Sequence, residues 1–495
     1  MSRLAWRSEP QSSDAPASAR LSTAEVPLCV DLDGTLISSD LLWESVLWLL
    51  ARSPWVLLLL PLWLLQGKAS LKSRIAARVT LDVTRLPYRR DVVAWVRREH
   101  ARGRRCVLVT ASHRSLAEAV AAHLGIFADV LATDATLNLS GEHKRRTLEQ
   151  QFGAGQFDYA GDSRADLRVW PAARTAIVVG ASRRLFRRVS APEARRFPVA
   201  RPGLSEVVRA IRVHQWVKNA LVFTPLLLAH EFTASALLGA AAAFAAFSLC
   251  ASSVYVLNDL LDLEPDRVHP LKRFRPFAAG TLPIPIGLLL IASGLAAAFG
   301  VALLAGPAFT ASLGTYLALT TAYSVWLKRL AVVDVVVLAV LYTLRVLAGG
   351  LAADVPVSPW LMALSIFLFQ SLALQKRYAE LALLAPERRE RVAGRGYVAG
   401  DAQLLATIGP ASGYMAVLVL ALYITSEEVV RLYDQPKVLW LVCPMLLYWI
   451  THMWLRASRG QVTDDPLVVA LHDRASWIVG GAVLLVMLAA MAGGG

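Results

Sequence analysis

From residue 214 onward the chain is a succession of long apolar runs parted by short charged loops, a pattern that no single water-soluble core accommodates. Hydropathy marks nine candidate spans, at about 216–236, 238–257, 284–305, 307–326, 332–353, 359–375, 404–424, 437–455 and 476–493. Each approaches the length of about 20 apolar residues that crosses a bilayer. Before residue 214 the composition is that of an ordinary soluble domain. A chain of 495 residues also exceeds what one core usually serves, so two unlike parts are expected.

The net charge of +14 suits either nucleic acid or membrane topology. No aromatic-basic nucleic-acid module is present, and the bases gather beside the apolar spans, which favours membrane topology and anionic substrates. With a cytoplasmic N-terminus, the inner loops hold most of the bases, including Arg267, Arg273, Arg329, Arg388, Arg389, Arg391, Arg395 and Arg456. The opposite loops hold Arg431 and Lys437. The expectation is a multi-pass inner (cytoplasmic) membrane protein with its soluble domain and active sites on the cytoplasmic side. Cys29, Cys106, Cys250 and Cys443 are too scattered for a metal site and read as reduced thiols. Residues 1–26 lack the apolar core of a signal peptide and read as a disordered tail.

In the soluble half, the apolar run 27–30 leads directly into Asp31-Leu-Asp33-Gly34-Thr35. A strand that ends in paired acids and a glycine turn suits an exposed nucleophile at a sheet's carboxyl edge. A second run, Cys106-Val-Leu-Val-Thr110-Ala-Ser112, ends in hydroxyls. A third, from Phe157, ends in Gly161-Asp162-Ser163 with Asp166 beyond, and Lys144 lies between these two. Residues 176–180 form a further candidate strand, and strands alternating with helical stretches imply a doubly wound α/β domain. A carboxylate attacks phosphorus only where cations offset the repulsion between anions, and Lys144 and a divalent ion would do so here.

This series resembles the haloacid dehalogenase superfamily over residues 27–190. The resemblance implies that Asp31 is the nucleophile and that Asp33 protonates the leaving oxygen and then activates water. Thr110 would bind the phosphoryl group and Lys144 would neutralise it, with Mg²⁺ held by ligands drawn from Asp31, Asp33, Asp162 and Asp166. The second acid points to a phosphatase, because ion-pumping relatives have Asp-Lys-Thr-Gly-Thr. An insert at about 40–100 is expected to form a helical cap. Its stretch Trp55-Val-Leu-Leu-Leu-Leu-Pro61-Leu-Trp63 is either an interfacial hairpin anchored by Trp or a cap core packed on itself.

After the second span comes Asn258-Asp259-Leu-Leu-Asp262-Leu-Glu264-Pro265-Asp266. Asp259, Asp262 and Asp266 are spaced to share one helical face, where a divalent cation would relieve their repulsion; Pro265 weakens the argument for Asp266. His269, Lys272, Arg273 and Arg275 follow, which suits a Mg²⁺-diphosphate ligand. Arg345 lies inside a span and should face a polar cavity or a partner such as an aspartate of that face, or else snorkel.

The motif resembles the UbiA-type prenyltransferase superfamily over residues 205–493, which implies a nine-helix membrane bundle with Asn258, Asp259, Asp262 and Asp266 at the metal. Where ordinary members carry a second acidic motif after the sixth helix, this chain has Gln375-Lys376-Arg377-Tyr378-Ala-Glu380. That departure, with Gln215-Trp-Val-Lys218-Asn219 and His269-Pro-x-Lys272-x-x-Arg275, resembles the polyprenyl-phosphate (decaprenyl-phosphate) phosphoribosyltransferase branch. The resemblance implies phosphoribosyl pyrophosphate as donor and a polyprenyl phosphate lipid as acceptor. Lys376 and Arg377 would hold the acceptor phosphate, with Lys218, His269, Lys272, Arg275, Tyr323 and Lys328 as further ligands.

The whole is expected to be a Rossmann-like phosphatase domain with a helical cap (27–190), a linker (191–210) and an all-α membrane transferase (211–495). The two would act in succession, the phosphatase removing the 5-phosphate left by the transferase, a route that ends in ribose on the lipid for cell-envelope arabinan. A transferase using a prenyl diphosphate and an aromatic acceptor, and a non-enzymatic membrane module with a regulatory soluble domain, are the alternatives. A phosphatase with an unrelated soluble substrate is a third.

Overall fold

The computed structural model describes residues 26–134, 137–180, 182–199, 202–382, 396–462 and 465–491. The expected tail, but for Val26, lies outside the described residues, as do Arg388, Arg389, Arg391 and Arg395. Two compact units are present: Met1–Gly203 with Leu261–Ile284, and Leu204–Leu260 with Pro285–Gly495.

In the first unit, β1 (Leu28–Val30), β2 (Cys106–His113), β3 (Asp129–Thr133), β4 (Asp158–Gly161), β5 (Thr175–Val179) and β6 (Glu193–Phe197) form one sheet. Its order is β3-β2-β1-β4-β5-β6 and every pair is parallel. Side chains alternate across the strands, so Leu28, Val30 and Leu108 enter one core and Cys29, Val107 and Tyr159 the other. Helices α4 (Arg90–Ala101) and α5 (Arg114–Leu124) cover the first face and α6 (Glu142–Phe152) the second. Burial on both faces is why these strands read as unbroken apolar runs. The strand order reverses at β1 and β4, which opens a crevice at their carboxyl ends.

Part of the expected linker is structured. Glu193–Phe197 pairs as edge strand β6, and Leu204–Ala210 is a helix. The edge strand is charged and mostly exposed, so hydropathy alone does not reveal it.

The insert contributes α1 (Leu41–Arg52), α2 (Leu60–Leu65) and α3 (Lys68–Ala76), with a 3₁₀ turn at Pro54–Leu58. Asp40 caps α1 by accepting from the Leu42 and Trp43 amides. Leu49, Val56, Trp63, Ile75 and Val79 give the insert its own small core, while Trp55, Leu58, Leu62, Leu64 and Leu65 remain exposed. No continuous span forms here, in keeping with the run's short length and Pro61.

The returning stretch Leu261–Ile284 packs within this same unit. Arg267 binds both carboxylate oxygens of buried Glu44 on α1, at 2.6 and 3.1 Å, and Arg52 reaches Glu264 at 2.9 Å.

The second unit is helical. Among the described residues six helices are long and apolar enough to cross a membrane: Ala234–Leu261, Ile284–Ala305, Val333–Ala353, Ala399–Ile424, Pro436–Ser458 and Arg474–Met491. The nine expected spans are not all matched by helices of this kind. Pro307–Val325 and Pro359–Ala382 are two further helices, of 19 and 24 residues. The first expected span, 216–236, is no single helix: a 3₁₀ segment Val213–Phe223 gives way to a short helix Thr224–Ala229, which ends at His230 with φ 58°.

Close approach fixes several glycines in this unit, Gly349 most tightly. A Cβ on Gly349 would lie 1.9 Å from the Val222 carbonyl oxygen. Gly349→Ala is expected to cost about 1–3 kcal/mol through overpacking, seen as a lower melting temperature in detergent. Gly300→Ala, where a Cβ would meet nothing within 4 Å, should leave the melting temperature unchanged.

Candidate active sites

At the carboxyl end of β1, Asp31 follows directly from Val30, and Asp162 follows β4. Asp31, Asp162 and Asp166 each present an oxygen within 4.8 Å of the others, and among the described residues this is the one such acidic group. Gly34 makes the approach possible: its φ is +75°, and a Cβ there would stand 2.2 Å from an Asp162 oxygen.

Lys144, on α6, is buried and donates to Asp31 at 2.8 Å, to the Tyr159 hydroxyl at 2.9 Å and to the Val109 carbonyl at 3.3 Å. Tyr159 in turn donates to Asp166 at 2.7 Å. The other Asp166 oxygen accepts from the Ser163 amide and hydroxyl, at 2.9 and 2.8 Å, so the carboxylate cannot swing away. Tyr159 was not among the expected site residues. Its place on a strand that also fills the core hides its polar tip.

Asp33 differs from the expected metal ligand. Its carboxylate accepts from the Leu41 amide at 2.8 Å, the Ser112 hydroxyl at 2.6 Å and Thr110 at 3.2 Å, and it is not part of the acidic trio. Two residues on from Asp31, it sits beside the end of β2 and the start of α1. That position suits a proton carrier.

Burial, opposed by Lys144 and reinforced by Asp166 and Asp33, pushes the Asp31 carboxyl up to about 7. Burial and neighbouring Asp40 push Asp33 up to about 6, against hydrogen bonds from Ser112 and the Leu41 amide. Burial, then Asp31 and Asp166, hold Asp162 well above the usual carboxylate range. Asp31, Asp162 and Asp166 crowd all-oxygen donors together, and the repulsion that helps raise the Asp31 and Asp162 carboxyls fits a hard divalent cation.

The helical unit encloses a polar cavity of about 440 Å³. Its cations are Arg212, Lys218, Arg345 and Lys376, and its acids are Glu380 and Asp465. Tyr255, Tyr316, Tyr323 and Tyr342 line it as well, with Gln215 and Asn258. Lys218 and Lys376 both donate to Asp465, at 2.7 and 3.1 Å. Burial alone would raise the Asp465 carboxyl, but Lys376 and Lys218 outweigh it and hold the group below its ordinary range. Neither Arg212 nor Asp465 was expected from the sequence. The Asp-Pro at 465–466 is a helix-start signal, which masks any further role.

The acidic motif does not lie on one helical face. Pro265 has no amide hydrogen for the Leu261 carbonyl, and helix Ala234–Leu261 ends there; a new helix, Leu263–Val268, begins after Asp262. Asn258 donates to Ser324 at 3.0 Å, and buried Asp259 pairs with Arg212. Asp262 and Asp266 belong to the first compact unit, where Asp266 binds Arg275 at 2.6 Å. His269, in the same stretch, accepts the amides of Leu271 and Lys272. Asp259 and Asp266 thus meet arginines, and acids paired in this way do not fit a shared metal as they stand.

Arg345 lines the cavity, but its partners are neutral rather than an aspartate. It donates to Asn219 and Tyr316, both at 2.9 Å, and its guanidinium lies over the Tyr316 and Tyr342 rings. Arg377 departs further from expectation. It is 1% exposed and binds Asp334, Glu380 at 2.7 Å and the Tyr323 hydroxyl at 2.7 Å. Of the adjacent pair, Lys376 reaches the cavity while Arg377 is locked in protein. Lys328, in the 3₁₀ turn Leu327–Arg329, does not line the cavity.

The pattern of the UbiA prenyltransferase family matches residues 220–379, and that of haloacid dehalogenase-like hydrolases matches residues 28–170. The uncharacterized protein y4nM of Sinorhizobium fredii is 38% identical over 94% of this chain and 91% of its own length. Nodulation protein NoeC of Azorhizobium caulinodans is 38% identical over 56% of this chain and 92% of its own. A decaprenyl-phosphate phosphoribosyltransferase of Mycolicibacterium smegmatis is 32% identical over 55% of this chain and 87% of its own. The chain belongs to the UbiA prenyltransferase family, and it carries a haloacid dehalogenase-like hydrolase domain ahead of the family's membrane region. It is an integral membrane protein with the domains of an enzyme.

Two outcomes test these assignments. The carboxyls of Asp31, Asp33 and Asp162 have folded values above their unfolded ones, so protonation favours the fold and stability falls as pH rises from about 4 through about 7. Added Mg²⁺ should therefore raise the melting temperature of EDTA-treated protein more at about pH 8 than at about pH 5; equal shifts would argue against a cation at the trio. Arg377→Met, which strands buried Asp334, should cost about 3–5 kcal/mol. Adding Asp334→Leu should restore much of the lost melting temperature, a recovery that a substrate ligand would not show.

Proposed function

We propose that the helical unit transfers a 5-phosphoribosyl group from phosphoribosyl pyrophosphate to a polyprenyl phosphate, and that the phosphatase unit removes the 5-phosphate. The observation that carries the reading is the bundle cavity, where four cations face two acids and Lys376 stands where a second acidic motif was absent from the sequence. A relative named decaprenyl-phosphate phosphoribosyltransferase, covered over 87% of its length, supports the choice of donor and acceptor.

In this reading the bond between ribose C1 and the pyrophosphate oxygen breaks as a lipid phosphate oxygen bonds to C1. The acceptor is already anionic, so no general base is needed. Lys218, Arg345 and Lys376 hold the anions together, and the tyrosines fix the sugar through their hydroxyls. Positive charge preset around a departing diphosphate lowers the barrier because it need not reorganise during reaction. Mg²⁺ at Asn258, Asp259, Asp262 and Asp266 would require Asp259 to leave Arg212 and Asp266 to leave Arg275. His269, Lys272 and Arg275 stay secondary ligands by resemblance, as does Lys328.

At the sheet edge, Asp31 attacks the 5-phosphate while Asp33 gives its proton to the departing ribose oxygen; Asp33 then takes a proton from the water that frees Asp31. Thr110 and Lys144 contact the phosphoryl oxygens. Mg²⁺ held by Asp31, Asp162 and Asp166 would offset the repulsion between nucleophile and phosphate. Joining both sites in one chain raises the effective concentration of the phosphorylated lipid at the second, to about the millimolar range for a short tether. The surplus of bases in the loops assigned to the inner side supports cytoplasmic placement of both sites.

The test is mass spectrometry of lipid products from purified full-length protein given labelled phosphoribosyl pyrophosphate and polyprenyl phosphate. Asp31→Asn is expected to accumulate the 5-phosphorylated lipid, with the rate of transfer kept. Dephosphorylated lipid appearing at the wild-type rate would dismiss the second step. Labelled prenyl diphosphate consumed in place of the sugar donor would dismiss the first.

A further inference from the structure

Three elements far apart in the chain bring their charges to one point in the helical cavity. Lys218 comes from the 3₁₀ segment Val213–Phe223, Lys376 from helix Pro359–Ala382, and Asp465 caps the short helix Pro466–His472. A single oxygen of Asp465 accepts from both ammonium groups, at 2.7 and 3.1 Å. Asp465 is 8% exposed and its carboxylate is fixed on its remaining sides. Tyr342 donates to both oxygens, at 3.2 and 3.3 Å, and the Leu467 amide donates to one at 3.3 Å. Tyr342 is itself held by stacking on Phe369, with ring centroids 5.1 Å apart.

A lysine carries a point charge on a flexible stem, and two of them in an apolar bundle repel. Left to themselves, Lys218 and Lys376 would turn apart. Each ammonium has three donors and gives one to Asp465, which leaves two on each for a ligand. Both residues line the cavity, so these remaining donors have somewhere to act.

We propose that Asp465 is a positioning residue that binds Lys218 and Lys376 into one two-ammonium clamp for a single phosphoryl group of the substrate. The proposal rests on reading the cavity as the anion site of the transferase. Its consequence runs against simple electrostatics, because removing a negative charge from an anion site then weakens anion binding.

The experiment uses full-length protein in detergent and inorganic pyrophosphate as probe, followed by calorimetry. Asp465→Asn is expected to weaken pyrophosphate binding about tenfold or more, and Asp465→Glu, which keeps the charge, to return it to within about threefold of wild type. In turnover, Asp465→Asn should raise the KM for the sugar donor more than it lowers kcat. A folded Asp465→Asn protein that binds pyrophosphate as tightly as wild type, or tighter, would overturn the proposal and make Asp465 a mere counter-ion.

Should Asp465→Asn not fold, Lys218→Gln and Lys376→Gln decide the matter. A clamp predicts that each single substitution loses nearly as much affinity as the pair together. Losses that simply add would refute it. Wild-type protein that binds no pyrophosphate would instead count against the reading of the cavity itself.

Discussion

An ionised side chain inside an apolar bundle persists only where a counter-charge or a polar cavity meets it, and the helical unit is organised around that demand. Asp334 and Arg377, at 0% and 1% exposure, bind each other and are completed by Tyr397, Glu380 and Tyr323, which leaves nothing for a ligand. Arg212 with Asp259, and the two lysines with Asp465, are satisfied while still bordering open space. The first arrangement joins helices Val333–Ala353 and Pro359–Ala382. The others furnish a pocket. The same chemistry thus serves as scaffold or as site according to whether a cavity lies alongside.

The phosphatase unit obeys a related rule with the opposite sign. Its acids are crowded with one lysine among them, and burial drives the Asp31 and Asp162 carboxyls upward. Such crowding is unfavourable on its own, and a bound cation would relieve it. The sheet contributes by placing the ends of β1, β2 and β4 side by side, so that residues distant in sequence converge without long loops. Tyr159 links Lys144 to Asp166 and ties the charged groups into one network.

How much of this could be read from the chain depends on how local each signal is. Asp31, Asp33, Thr110, Lys144, Asp162 and Asp166 stand at strand ends or on the helix between them, where apolar runs announce the strands and the acids follow at once. The helical site is legible only in part. Lys218 and Lys376 were recognisable, but Asp465 reaches them from almost ninety positions beyond Lys376 and resembles an ordinary helix cap. Arg377 misled because adjacent helical residues point about 100° apart, so a basic pair in sequence need not be a pair in space. The acidic motif misled for a backbone reason: spacing suggested a continuous helix, but the chain breaks before Pro265 and divides its acids between two units.

The stretch Leu261–Ile284 leaves the bundle, joins the unit that holds the sheet and then returns. Arg267 on that excursion neutralises Glu44, a buried acid in α1 that would otherwise lack its charge partner. A hydrolase fragment cut at the first crossing, near residue 203, would therefore be missing a piece of its own interior. Evolutionary fission or a laboratory truncation there must replace that lost guanidinium or remove the carboxylate. Otherwise the severed half is left with an uncompensated anion at its heart.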